Sequence, residues 1–367
     1  RGYDGLGHQG RGKTSNRATP VEVVDKIKGL IREKYSDFKD QAGPTFIADQ
    51  LLKNDNIMVD HETLRRMMIK SGLWLVKNRK KKSHQWRERK HHVGELVQVD
   101  GSFHIWFGEE YLTLVAFIDD ATGRIMLAEF SPDRESVRRL GMMTREYLET
   151  YGRPRALYSD RGSTYKVNAK EKSHLNKTQF QRMLQEVDVD LIHARSPQAK
   201  GRVERLFKTL QDRLVKELAL AGITTIDEAN KYLKDRYIPD HNQRFAVDPE
   251  DATDFHRTIE NYNLNHIFCL KFKRIIKNDF TIKLGNVLYQ LEPSGIRRQQ
   301  EVAVYRYFDG ATDIFRKDQR LVFKKITKSK VTKAKTKERD SLNLVEKPMV
   351  PTPPLPDIFD GRKTRHF

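Results

Sequence analysis

Apolar positions along the chain recur first at helical and then at strand spacing, and each change of period marks a new unit. Val24, Ile27 and Ile31 follow Thr19-Pro20 at three- and four-residue intervals, and Glu22 stands three residues past Thr19 as in a capping box. A second helix is expected around residues 45–53. A third follows the turn NIMVD, with Asp60 as N-cap, Leu64, Met67 and Met68 inward, and Gly72 as terminator. From Leu96 the period shortens to two, and LVQVDGSFHIWF, YLTLVAFIDD and RIMLAEFS read as three strands. Short turns at Gly108 and at Asp120-Ala-Thr-Gly123 make them antiparallel neighbours. Helix and strand then alternate: SVRRLGMMTREYLETYG, the brief strand ALYSD, a helix over 178–187, the strand DLIHAR, and a long helix after Ser196-Pro197. Such an order implies a mixed sheet covered by helices. Beyond residue 263 the stretches DFTIKL, VLYQL, VAVYRYF and RLVFKK, separated by Asn or Gly turns, suggest a small β-barrel.

The chain therefore divides into a Gly/Arg-rich linker over 1–18, a helical domain over 19–74, a basic linker over 75–94, an α/β core over 95–255, the small β-barrel over 256–328, and a Lys- then Pro-rich tail over 329–367 too poor in apolar residues to fold alone. It begins Arg-Gly-Tyr rather than Met, which reads as a fragment with something missing upstream.

Charge narrows the choice of partner. A net charge of +19 in 367 residues points to a polyanion. No apolar run approaches the roughly 18 residues needed to span a bilayer, so DNA is favoured over a membrane. The outer face of the third helix carries His61, Arg65, Arg66 and Lys70, as a helix-turn-helix module entering a major groove requires, although an ordinary solvated helix would look the same. The linker holds eight Lys or Arg between Lys77 and Lys90, among them Arg79, Lys80, Lys81 and Lys82; like charges this dense repel unless they lie on phosphate. The lone cysteine, Cys269, excludes an intramolecular disulfide and a multi-cysteine zinc site, and fits a reducing cytoplasm.

Candidate chemistry rests on three acids. Asp100 interrupts the apolar strand LVQVDGSF. Asp160 ends ALYSD, where open α/β sheets place their ligands. Glu204 lies in the first turn of the long helix, whose inward stripe is Val203, Phe207, Leu210, Leu214 and Leu218; Glu204, Lys208 and Gln211 share a neighbouring face. Three converging carboxylates need a counter-charge, and magnesium, a hard cation that prefers carboxylate oxygen, supplies one. Two such ions, with manganese as a substitute, serve phosphodiester chemistry. Arg161, Lys200, Arg202 and Lys208 surround these acids as phosphate anchors. The bland alternatives stay open: a hydrogen-bonded strand residue at Asp100, a turn cap at Asp160, a surface ion pair at Glu204. Asp119 and Asp120 read first as turn residues, and His91, His92 and His104 lack metal-ligand spacing.

VQVDGSFHIWF, FIDDATGRI, ALYSDRGSTY and SPQAKGRVERLFKTLQDRLVKEL resemble the DDE transposases of bacterial insertion sequences, ISNCY type, within the retroviral-integrase superfamily. The likeness runs from GRGKTSNR through the helix-turn-helix to the core, weakens in the barrel and ends before the tail. It implies a ribonuclease-H-like core with the acidic triad on Asp100, Asp160 and Glu204. It also implies two magnesium ions, double-stranded DNA as partner at both element ends and target, a dimer or larger assembly on DNA, and a place in the bacterial cytoplasm at the nucleoid. A further helix-turn-helix usually precedes this region in the family. Two rivals are a ribonuclease-H-like nuclease that cuts without joining and a transposase-derived DNA-binding regulator.

Overall fold

The computed structural model describes residues 19–36, 38, 42–75, 88–132, 136–159, 177–193 and 201–326. The 1–18 linker, Arg79–Lys82 of the basic linker and the 329–367 tail lie outside the described residues. Three helices, α1 (Val21–Lys34), α2 (Pro44–Asp55) and α3 (His61–Lys70), enclose a core of Ile27, Ile31, Phe46, Ile47, Leu51, Leu64 and Met68. The helix α3 begins and ends as its sequence predicts. The Asp60 carboxylate accepts from the backbone N–H of Glu62 and Thr63, and Gly72, at φ +68°, reverses the chain. There the N–H groups of Gly72 and Leu73 close onto the carbonyls of Ile69 and Met68, a Schellman motif. The capping box expected at Thr19 does not form: Pro20 occupies the N-cap of α1, without a side-chain cap bond.

A five-stranded mixed sheet follows, in the order β3-β2-β1-β4-β5. The strands β1 (Leu96–His104), β2 (Leu112–Asp119) and β3 (Ile125–Ser131) meander antiparallel, whereas β4 (Ala156–Ser159) and β5 (Asp190–His193) add parallel beside β1. Strand alternation sends Val97, Val99, Val115 and Phe117 to one face, under α4 (Val137–Tyr151) and α5 (Gln179–Glu186). The opposite face carries Leu114, Ala116 and Ile118 against the Val203, Phe207, Leu210, Leu214, Leu218 stripe of α6 (Gly201–Leu220).

Two further helices were not anticipated from the sequence: α7 (Ile226–Tyr232) and α8 (Ile238–Phe245), joined by a π-helical turn over Leu233–Tyr237. Pro239 lacks the N–H that would bond back one turn, and the widened turn absorbs the missing bond. Asn230 and Asn242 clamp the backbone of β3 at Phe130 and Ile125, each amide accepting one N–H and donating to one carbonyl. These clamps cover part of an otherwise open edge strand.

After the short helix α9 (Leu264–Ile267), the C-terminal strands bond as two sheets around one apolar core. One is β11-β10-β9-β6 and the other β12-β8-β7, built from β6 (Leu270–Ile275), β7 (Thr281–Leu284), β8 (Val287–Leu291), β9 (Glu301–Arg306), β10 (Thr312–Arg316), β11 (Gln319–Arg320) and β12 (Phe323–Ile326). Among the described residues their hydrogen bonds do not close into the single barrel expected from the sequence. This unit is locked to the core by Phe308 packing on Gly141, where a Cβ would meet the ring at 2.8 Å. The Gln179 amide also pairs with the backbone N–H and carbonyl of Lys271. Among the described residues no helix is long and apolar enough to cross a membrane.

Candidate active site

Gln98, Asp100 and Ser102 alternate along β1 and so point to one face. Both outer members touch α6: the Gln98 Oε1 accepts from Val203 N at 3.4 Å, and the Gln211 Nε2 donates to Ser102 Oγ at 3.0 Å. Eight residues of helix rise about 12 Å and four of strand about 13 Å, so α6 and β1 run side by side in step over this interval. Asp100, midway between Gln98 and Ser102, therefore lies level with residue 207, between the turns that carry Glu204 and Lys208. Ala116 stands opposite Asp100 on β2, where its small side chain leaves room. Asp100 is half-buried; Glu204 and Lys208 are exposed. Carboxylate oxygens are hard donors of the kind a magnesium ion prefers.

Asp160, Arg161 and Lys200 lie outside the described residues, as do Arg79, Lys80, Lys81 and Lys82. Among the described residues no cluster of three or more His, Cys, Asp or Glu side chains is placed to hold a metal. Asp100 and Glu204 supply two such groups. Ser159, which immediately precedes Asp160, ends β4, and β4 runs parallel to β1 with Gln98 in register with Tyr158.

Arg202, expected to hold phosphate, has its Nη1 2.8 Å from the buried Asp120 Oδ1. Helix geometry explains this, because residue 202 precedes the inward Val203 and faces the β2–β3 turn. On α3 the guanidinium of Arg65 chelates Glu62 at 2.7 and 2.8 Å, and Arg66 Nε reaches the same carboxylate at 3.2 Å. Hydrogen bonding from Arg65 brings the Glu62 carboxyl down to about 2. The basic face of α3 is thus partly neutralised by its own helix, while Lys70 remains exposed.

Asp119 and Asp120 act as turn residues, as expected. Both are fully buried. Asp119 accepts from Gly94 N, Thr122 N and Thr122 Oγ1. Asp120 accepts from Lys90 N at 3.0 Å and Gln98 Nε2 at 2.5 Å as well as from Arg202. The sequence reading passed over Gln98 and Ser102; the signal available was the polar alternation inside VQVDGSF.

The helical unit rests on the far half of α6. Asp49 pairs with Arg213 and Arg244, Lys53 with Asp240 and, at 3.7 Å, Glu217. Phe46 lies under the Arg213 guanidinium, 5.6 Å from ring centre to carbon. The buried His241 at this contact is pushed down to about 4 by burial, with Arg213 adding to the effect.

No family model matches the chain. It is 36% identical over 348 residues to the protein of Sinorhizobium fredii (strain NBRC 101917 / NGR234) named "Putative transposase y4bF", covering 90% of this chain and 75% of that one. It is 28% identical over 352 residues to the transposase for insertion sequence IS1202 of Streptococcus pneumoniae, covering 83% of this chain and 75% of the relative. Among solved structures it aligns with a chain of the simian T-cell lymphotropic virus intasome in complex with PP2A regulatory subunit B56 gamma, at 13% identity and TM-score 0.37, over 81% of this chain and 99% of that one. It also aligns with the HTLV-2 integrase catalytic core domain in complex with magnesium, at 14% identity and TM-score 0.34, over 45% of this chain and 98% of that one. The assignment of family rests on the sequence relatives alone.

Proposed function

Because this chain belongs to the transposase family, we propose that it binds the terminal inverted repeats of an insertion sequence, nicks each end to free a 3′-OH, and joins that hydroxyl to target DNA. The observation that carries the reading is the in-step packing of β1 and α6, which sets Asp100 level with residue 207, beside Lys208 and about one turn from Glu204. Asp160, one residue beyond β4, is the third member, within a ribonuclease-H-like core. The three carboxylates are the ligands of two magnesium ions, for which manganese can substitute. Such a pair supplies activation of the attacking oxygen and stabilisation of the leaving oxygen of a phosphodiester. The acids themselves hold and orient; none of them is the nucleophile. Lys208, with Arg161 and Lys200, holds the reacting strand by its phosphates. Lys70 and the neighbouring Arg65 and Arg66 of α3, together with Arg79–Lys82, carry the helix-turn-helix contact to the element end, and the C-terminal strands add a second one. Two ends must be processed together, so the working form on DNA is a dimer or larger assembly.

Incubating the protein with a pre-nicked element end, a plasmid target and magnesium tests this reading. Joined product is expected from the wild type; Asp160→Asn should bind ends and join none. Cleavage without any joined product would overturn the reading in favour of a simple nuclease.

A further inference from the structure

Asp120 lies outside the proposed triad, yet it ties together the segments that carry two of its members. Its carboxylate, fully buried, accepts from Gln98 Nε2 at 2.5 Å, Arg202 Nη1 at 2.8 Å and Lys90 N at 3.0 Å. Gln98 is two residues before Asp100 on the same face of β1, and Arg202 is two residues before Glu204 on α6. Gln98 also accepts from Val203 N, so strand and helix are joined once through the Asp120 carboxylate and once directly through the Gln98 amide. These contacts join positions 82 and 22 residues away from Asp120 in sequence, so no local propensity accounts for them. Another donor, Lys90, belongs to the basic linker, and the neighbouring Arg89 Nη1 donates to Ala121 O at 3.2 Å.

We propose that Asp120 is a positioning residue that sets the separation of Asp100 and Glu204, and that it acts by clamping Gln98 and Arg202 rather than by touching metal or DNA. The inference rests on the transposase reading above. A buried carboxylate with these N–H donors resists displacement, because moving α6 would pull Arg202 away from Asp120 and Val203 N away from Gln98 Oε1. Groups one layer behind metal ligands commonly influence metal affinity as strongly as this. Asp119 is the internal control. It is equally buried in the same turn, but its bonds go to Gly94 and Thr122 and none of these reaches α6.

The test compares Asp120→Asn, Gln98→Met and Asp119→Asn in the full chain, each checked for folding by circular dichroism. Manganese chloride is titrated into each protein by calorimetry without DNA, and magnesium dependence of joining is measured in parallel. Asp120→Asn and Gln98→Met should weaken manganese binding roughly 10–100-fold and raise the magnesium concentration needed for half-maximal joining to match, with end binding unchanged. Asp119→Asn should leave the metal affinity where it was. Wild-type metal affinity in folded Asp120→Asn and Gln98→Met overturns the inference, as does an equal loss in Asp119→Asn, which would reveal general loosening of the turn. If Asp120→Asn does not fold, Gln98→Met decides alone. A wild type that joins no ends removes the transposase reading and this inference with it; a wild type that joins ends beside unaffected variants removes only the inference.

Discussion

Two pairs of acids lie on neighbouring elements of the core and have opposite characters. Asp119 and Asp120, at the end of β2, are fully buried, and backbone and side-chain donors surround them. Asp100 lies on β1 and Glu204 on the first turn of α6, one half-buried and the other exposed. A buried carboxylate is tolerated when donors within the protein fill its lone pairs, and those donors hold it in place. Adjacent acids in FIDDATG therefore build the frame, whereas the proposed metal ligands Asp100 and Glu204 lie 104 residues apart in sequence.

The contrast can be broken most forcefully at Asp100 and Glu204. Asp100→Asn or Glu204→Gln should remove several kcal/mol of transition-state stabilisation, roughly a thousand-fold in joining rate, with the melting temperature nearly unchanged. A modest rate loss from either would return that acid to a structural role. Asp119 should respond the other way. Asp119→Ala orphans the N–H groups of Gly94 and Thr122 and should cost about 3 kcal/mol of stability in denaturant unfolding. A stability change near zero there would mean that water replaces the carboxylate, and the distinction between the pairs would fail.

A third buried polar group sharpens the contrast through pH. His241 sits between the helical unit and α6, near Arg213, Arg244, Lys53, Asp49, Glu217 and Asp240, and its Nδ1 has no hydrogen-bond partner among the described residues. Its imidazole titrates near 4 in the fold, against 6.5 ordinarily. Between those values the unfolded chain binds the extra proton, so stability is level above pH 6.5 and declines as pH falls toward 4, by on the order of 2 kcal/mol. His241→Phe, which keeps the ring packing on Tyr237 and Phe245, should flatten that decline. An unchanged acid limb in the variant would refute the assignment. The smallest effect belongs to Lys208→Ala. It should weaken DNA binding a few-fold and reduce the slope of log affinity against log salt by about one, the signature of one lost phosphate contact; an unaltered slope would take Lys208 off the DNA.

Local chemistry was legible in the sequence where one turn of chain decides the outcome. The Asp60 cap, the Gly72 stop and the Val203–Leu218 stripe need only neighbours a few residues away. The capping box at Thr19 failed because Pro20 takes the cap position itself. Strands β6 and β10 escaped notice because LKFKRI and TDIFR mix charge with short apolar stretches, and β9, the partner of β6, lies beyond two intervening strands. Helices α7 and α8 are polar on most sides and broken by Pro239, so no clean helical stripe announced them. Asp100 and Glu204 were proposed as site residues from their positions in the sequence alone. The clamp through Gln98, Arg202 and Asp120 could not, since it exists only after α6 has packed on β1.

The central claim is that Asp100, Asp160 and Glu204 share one metal centre, and anomalous scattering from crystals grown with manganese and an element-end duplex measures this most directly. The account predicts anomalous density about 2.1 Å from carboxylate oxygens of all three residues, between β1 and the first turn of α6. Manganese bound elsewhere, with Glu204 turned to solvent and Asp100 bonded only to protein, would contradict it.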